Sequence, residues 1–365
     1  MDRIHLPDNE ESKRFYGYLR YNSYRSERYK LFYVATPKVA CTSLKWWFAR
    51  LEGYDRDIRE CTDSAETDPD LVIHDTFHRI APQVTGLMPD DLAEALASDS
   101  YFRFAVVSNP FRRIFSAWQS KLLLREPLQV GPYRTCDFLH HPIECKEDIA
   151  DAFEEFLGHL ASNESPDFWD FHWTPQATLL RPDLISYTKL VKIERVKELN
   201  KALAGWLGSK FSDPFTAPRL NESLIPYCQE FLTGRSIGLI RSLYGKDFEL
   251  FRYDTQVPQT NQPFTDDQFD LARKAVRLIR GRHQRLDEQS GKIVRISQQL
   301  TQQELIFRES ENTLNQRNEE LVVTTTGLSL IKSKLHQKTK ALRQKTGELQ
   351  LEKTKLAQKI SELKQ

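Results

Sequence analysis

Two patterns of apolar and polar positions divide the chain. In the first, short apolar runs alternate with amphipathic stretches. "LFYVA" (31–35) and "FRFAVV" (102–107) are runs of the kind found in parallel strands buried on both faces. Each leads through a loop into a helical period, around Thr42–Leu51 and Arg112–Leu124. "DIADAFEEFLGHLA" is an amphipathic helix, and strand-like "LISYTKLVKIE" precedes the helical "RVKELNKALAGWL". "IPYCQEFLTGRSIGLIRSLY" and "TDDQFDLARKAVRLIR" also read as helices. Repeated strand–loop–helix units predict an α/β fold on a parallel sheet, with ligands at the carboxyl ends of the strands.

The second pattern begins near residue 285. Stepping by sevens from Leu286 gives Ile293, Leu300, Phe307, Leu314, Leu321, Leu328, Leu335, Leu342, Leu349, Leu356 and Leu363. Such a seam predicts a long helical coiled coil that makes the chain a homo-oligomer. Its partner positions are polar (Glu304, Glu311, Asn318, Thr325, Lys332, Thr339, Lys353), which weakens pairing and sets register. Gly327 and Gly347 each cost about 1 kcal/mol against alanine. Of 17 prolines, 16 precede residue 260, so the two patterns are also two compositions.

Net charge is +1, which gives no basic stripe for nucleic acid. The N-terminus is polar, and no run of about 18 apolar residues exists to cross a bilayer. Five cysteines, an odd count with no export signal, point to a reduced cytoplasmic protein, with peripheral association at the inner face of the membrane as a variant of that location.

The loop after the first run, Thr36-Pro-Lys-Val-Ala-Cys-Thr-Ser43, carries a cation, two hydroxyls and the start of a helix. Together they suit an anion with several oxygens. It is not the G-x-x-x-x-G-K-[ST] loop of nucleotide phosphotransferases. A capped helix beside a solvated lysine is the plainer alternative. The second loop, Ser108-Asn109-Pro110, again opens a helix.

"PKVACTSLK" followed by "NPFRRIFSAW" resembles the two nucleotide-binding motifs of the carbohydrate sulfotransferases, the family of the chondroitin and dermatan 4-O-sulfotransferases. "FHWTPQ", "LVKIERVKELNKAL", "NESL" and "LYGKDFELFRY" match later elements of that family in order. The resemblance spans roughly 28–255. It implies a P-loop-like three-layer α/β fold with a central parallel sheet, and a bacterial-type enzyme that moves a sulfuryl group from 3′-phosphoadenosine-5′-phosphosulfate (PAPS) to a carbohydrate hydroxyl by in-line displacement, with no metal. The expected domains are an N-terminal segment (1–27), the sulfotransferase domain (28–284) and the coiled coil (285–365).

By that resemblance Lys38 is the leaving-group lysine. Pro37, Val39, Ala40, Cys41, Thr42 and Ser43 complete the 5′ site. Ser108, Arg113 and Ser116 occupy the motif that grips the 3′-phosphate. Ser108 stands where the family carries arginine, which weakens the donor site. His74 is the expected base, with His78 the alternative in "LVIHDTFHRIAP". His172 and Trp173 orient the acceptor. Cys136, His140, His141 and Cys145 lack a standard zinc spacing. The other open reading is a sulfotransferase-like protein with a decayed donor site, working through its coiled coil as an assembly factor.

Overall fold

The two apolar runs are strands because both of their faces are covered. In the computed structural model, which describes residues 9–66, 68–162, 170–216, 223–260 and 263–363, β1 (Ser23–Ser26), β2 (Leu31–Val34), β3 (Phe102–Val107) and β4 (Lys189–Lys192) form one sheet in the order β1-β2-β3-β4. Leu31, Tyr33, Phe102, Phe104 and Val106 pack on one face with Trp46, Trp47 and Phe48 of the Cys41–Glu52 helix. The alternate residues Phe32, Val34, Ala105 and Val107 pack on the other, with Phe15, Tyr18 and Leu19 of the Glu10–Asn22 helix. Side chains alternate along a strand, so two apolar faces need a continuous run.

β2, β3 and β4 are parallel, as expected. β1 corrects the expectation of a parallel sheet: it pairs antiparallel with β2 across the turn 27–30. Its sequence, Ser-Tyr-Arg-Ser, has no strand-like apolar pattern. Arg25 is buried there because Tyr101, Asp91 and Glu94 accept from its guanidinium.

A second, helical cluster surrounds Phe115, Trp118, Phe153 and Phe156, drawn from the Pro110–Trp118 and Lys146–Ser162 helices. Two expected helices differ here. The stretch to Leu124 is α-helical only to Trp118 and continues as a π-helical segment, Gln119–Leu123. The stretch from Ile225 holds a short 3-10 turn, and its α-helix is Gly234–Leu243. Thr233 starts that helix by accepting from the Ser236 amide, so the chain before it is free to follow the core.

Contacts divide the chain into two units, Met1–Asp287 and Glu288–Gln365. One helix, Asp266–Glu362, runs through both. In the first unit it buries Phe269, Ala272 and Val276. In the second it is the whole described structure, and its seam residues from Ile293 to Leu363 are exposed in the single chain. Among the described residues no helix is long and apolar enough to cross a membrane.

Candidate active site

Parallel pairing brings the carboxyl ends of β2 and β3 side by side. The loop after β2 borders a cavity of about 820 Å³, together with the π-helical segment, the Ile73–Ile80 helix, the Phe171–His172 turn and one face of the long helix around Arg282. Lys38 and Ala40 both take left-handed backbone conformations, φ 67° and 51°. Each costs a non-glycine residue roughly 1–2 kcal/mol. The result is a tight loop that enters the Cys41–Glu52 helix with Ala40 at the cap position and no side-chain cap. The start of that helix therefore lines the cavity without a cap from the residue before it.

Lys38 is half-buried, and its Nζ donates to Ser120 Oγ at 2.9 Å. Burial, then the nearby charge of Lys121, lowers its pKa to about 8. Ser120 and Lys121 lie on the π-helical segment, a distortion that often marks functional sites. Gln119 fixes that segment by exchanging two hydrogen bonds with the Ile225 backbone. The long helix holds its far end: Arg280 donates to the Leu123 carbonyl and His283 to that of Leu124.

His74 lines the cavity between Thr42 and Lys45. Lys45 Nζ lies 2.9 Å from Nδ1, and Thr42 Oγ1 lies 3.0 Å from Nε2. An ammonium only donates, so Nδ1 accepts and the ring proton sits on Nε2, facing Thr42. Burial first, and then the charges of Lys45, Lys121 and Lys38, hold the ring well below its usual pKa and keep it neutral. Glu66, also in the cavity wall, is pushed up to about 7 by burial, with Glu126 and Asp75 adding and Lys121 opposing.

Opposite Lys38, His172 Nδ1 lies 2.6 Å from Asp170 Oδ1, and its backbone N–H donates to the same oxygen at 2.8 Å. Arg113 stands behind this turn, fully buried. Its guanidinium donates to the carbonyls of Pro37 (3.1 Å), Thr174 (2.9 Å) and Phe171 (3.1 Å). One cation therefore ties the Lys38 loop to both sides of His172.

Of the residues singled out in the sequence, Pro37, Lys38, Ala40, Cys41, Thr42, Ser43, His74, Ser116 and His172 meet in the cavity wall. Val39 turns into the core beside the sheet. Trp173 is fully buried against Tyr133 and Phe156. Ser108 is nearly buried, and its N–H and C=O are both taken by the Gln176 side chain. Arg113 and Ser108 do not line the cavity, and His78 packs edge-on against Tyr21 instead. Arg103 and Arg112, near in sequence to the second loop, bond backbone carbonyls elsewhere. Among the described residues no group of His, Cys, Asp and Glu converges as a metal site requires. Asn221 and Glu222, part of the "NESL" match, lie outside the described residues.

Sequence reasoning missed Lys45, Ser120, Lys121, Glu66 and Asp170. Lys45 carries a signal, since it follows Cys41 by one helical turn. Asp170 carries another, two residues before His172 in the spacing of a side chain that turns back on its own backbone. Ser120 is brought in by the π segment and has no local signature.

The chain is similar in sequence to curated carbohydrate sulfotransferases. Carbohydrate sulfotransferase 10 of Danio rerio is 26% identical over 253 residues, covering 62% of this chain and 65% of its own. The Xenopus laevis protein of the same name is 24% identical over 246 residues, with 62% and 66% covered. Carbohydrate sulfotransferase 14 of Mus musculus is 28% identical over 191 residues, with 50% and 45% covered. The chain thus spans at most about two thirds of the length of these curated relatives. No solved structure matches it. The sulfotransferase family model matches residues 21–254, the strands, both loops and the cavity wall up to the long helix, and the chain belongs to that family.

Proposed function

We propose that the protein is a PAPS-dependent carbohydrate O-sulfotransferase. The observation that carries this reading is the β2 loop: a half-buried lysine, two hydroxyls and a helix start without a side-chain cap line one cavity. That donor set fits a 5′-phosphosulfate. Lys38 would face the oxygen between phosphorus and sulfur, Thr42 and Ser43 would donate to the phosphate, and the helix amides would share its charge. The donor supplies an activated sulfuryl group. The chain's own task is then to stabilise charge on the leaving oxygen, remove the acceptor's proton and keep water out. The relatives' names supply the carbohydrate as acceptor class.

The 3′ end is less well provided. Ser116 lines the cavity, 3.4 Å from Ser223 Oγ, while Ser108 does not line it and the Arg113 guanidinium is held by backbone carbonyls. That observation favours, as a second reading, a protein with a weakened donor site that acts by assembly through its long helix. Calorimetry with adenosine 3′,5′-bisphosphate, followed by incubation with sulfur-labelled donor and a panel of glycans, separates them. Bisphosphate binding with label on a glycan supports the enzyme. No binding at millimolar bisphosphate removes it and leaves the assembly reading.

A further inference from the structure

A base for the acceptor hydroxyl needs a free lone pair aimed into the cavity and a partner for the charge it acquires. The two cavity histidines differ on both counts. On His74, Lys45 occupies Nδ1, and Nε2–H is turned to Thr42. To accept a proton the ring must first part from an ammonium, and the product would be an imidazolium beside that ammonium.

On His172, a carboxylate takes Nδ1. A carboxylate accepts, so Nδ1 carries the proton and the Nε2 lone pair remains. No described residue bonds Nε2, and the side chain lines the cavity that holds Lys38. The turn is rigid: Asp170 Oδ1 also takes the His172 amide, and the Asp170 carbonyl accepts from Trp173, Thr174 and the Thr174 hydroxyl. Arg113 holds the carbonyls of Phe171 and Thr174 on one side and Pro37 on the other, so this ring and the Lys38 loop are tied to one guanidinium.

Resting on the sulfotransferase reading, we propose that the Asp170–His172 pair is the general base of the reaction and that His74 is a positioning residue for Thr42 and Lys45. The acceptor O–H gives its proton to His172 Nε2. The oxygen's electron pair forms the new bond to sulfur. The bond from sulfur to the donor's 5′-phosphate oxygen breaks, and its electron pair leaves on that oxygen beside Lys38, giving adenosine 3′,5′-bisphosphate. Asp170 balances the imidazolium. The groups that face the ring are Asp170, which favours its charged form, and Lys121, Lys38 and His74, which oppose it. Burial is the largest influence and lowers its pKa, so the ring is neutral and ready at pH 7.

The experiment compares four full-length proteins: natural, His172→Ala, Asp170→Asn and His74→Ala. Bisphosphate binding is read by calorimetry, and transfer by single turnover at saturating labelled donor. His172→Ala should bind the bisphosphate within threefold of the natural protein and lose transfer by 100-fold or more. Added imidazole should restore part of the rate to this variant and not to His74→Ala. Asp170→Asn should lose at least tenfold and shift the acid limb of the pH profile. His74→Ala should weaken bisphosphate binding, yet transfer within tenfold of the natural rate once saturated. If His172→Ala binds and transfers normally while His74→Ala does not transfer, the assignment is overturned and the transferase reading survives. If the natural protein neither binds bisphosphate nor transfers, both fall together. Should His172→Ala fail to fold, Asp170→Asn decides: an unchanged rate and pH profile overturn the proposal.

Discussion

The loops after β2 and β3 begin alike, as parallel strands that run through a short loop into a helix at the same edge of the sheet. They end differently. After β2, Ala40 enters the helix with a left-handed backbone and no side-chain cap, and Lys38 lines the cavity beside it with its Nζ on Ser120. After β3, Asn109 accepts from the Phe111 amide, Pro110 removes one donor from the first turn, and Gln176 closes both backbone groups of Ser108. The first helix start has no side-chain cap, and the second has one. A strand–loop–helix unit is thus a scaffold for anion binding, and its caps decide whether the scaffold is used.

The largest effect should come from Lys38→Ala. The lysine matters most where charge builds on the leaving oxygen, so transfer at saturating donor should fall by about a hundredfold or more. Near-normal single-turnover rate with only a raised KM would falsify its placement at that oxygen. The same side chain sets a pH limit. It helps while protonated, its pKa is lowered to about 8, and so kcat/KM should hold below pH 8 and fall tenfold per unit above it. The bisphosphate affinity should show the same limb in the natural protein and lack it in Lys38→Ala. An affinity independent of pH from 7 to 10 contradicts the assignment.

Next is Ala40→Asp, which gives the open loop an acidic cap. The position already holds a left-handed backbone that aspartate tolerates well. The new carboxylate places a negative charge at the helix start and repels the ligand, so bisphosphate should bind at least tenfold more weakly, about 1.4 kcal/mol. Unchanged affinity would mean that this helix start is not where the anion sits.

What could be read in the sequence follows from how local each cause is. β2 and β3 were legible because burial on two faces writes a continuous apolar run into four to six consecutive residues. β1 was not, since Ser23–Ser26 is a strand only through its partner β2 and the acidic side chains on Arg25. The Pro37–Ser43 loop was legible because its chemistry is contiguous. Ser120, Lys121 and Glu66 reach the cavity through tertiary packing, and no spacing announces that. Arg113 was expected at the 3′-phosphate, but its guanidinium donates to three backbone carbonyls and does not line the cavity.

Asn109→Ala tests the closed loop and should act on stability alone. Losing the cap costs about 1 kcal/mol, read as a lower midpoint in urea with an unchanged slope. Bisphosphate affinity should stay within twofold. A loss of affinity larger than the loss of stability would show that the second loop also takes part in binding.

The smallest effect on turnover should come from removing residues 288–365. The cavity wall ends at Leu286, and the buried residues of the long helix are Phe269, Ala272 and Val276, so the site and its core lie before the cut. Turnover should change less than twofold. The number of subunits in solution should fall, because the proposed self-association rests on the seam from Ile293 to Leu363, whose residues are exposed. Charge also suggests the geometry of pairing. Between 327 and 363 nine Lys and Arg face three Asp and Glu, whereas between 288 and 326 four face six. A parallel pair sets the basic half against itself, and an antiparallel pair sets unlike halves together. Cysteines placed at Leu300 and Lys353 on separate chains should therefore cross-link to each other more than Leu300→Cys cross-links to itself. Equal subunit counts by light scattering with and without the tail would end the self-association reading and leave the helix as an extension of a monomer.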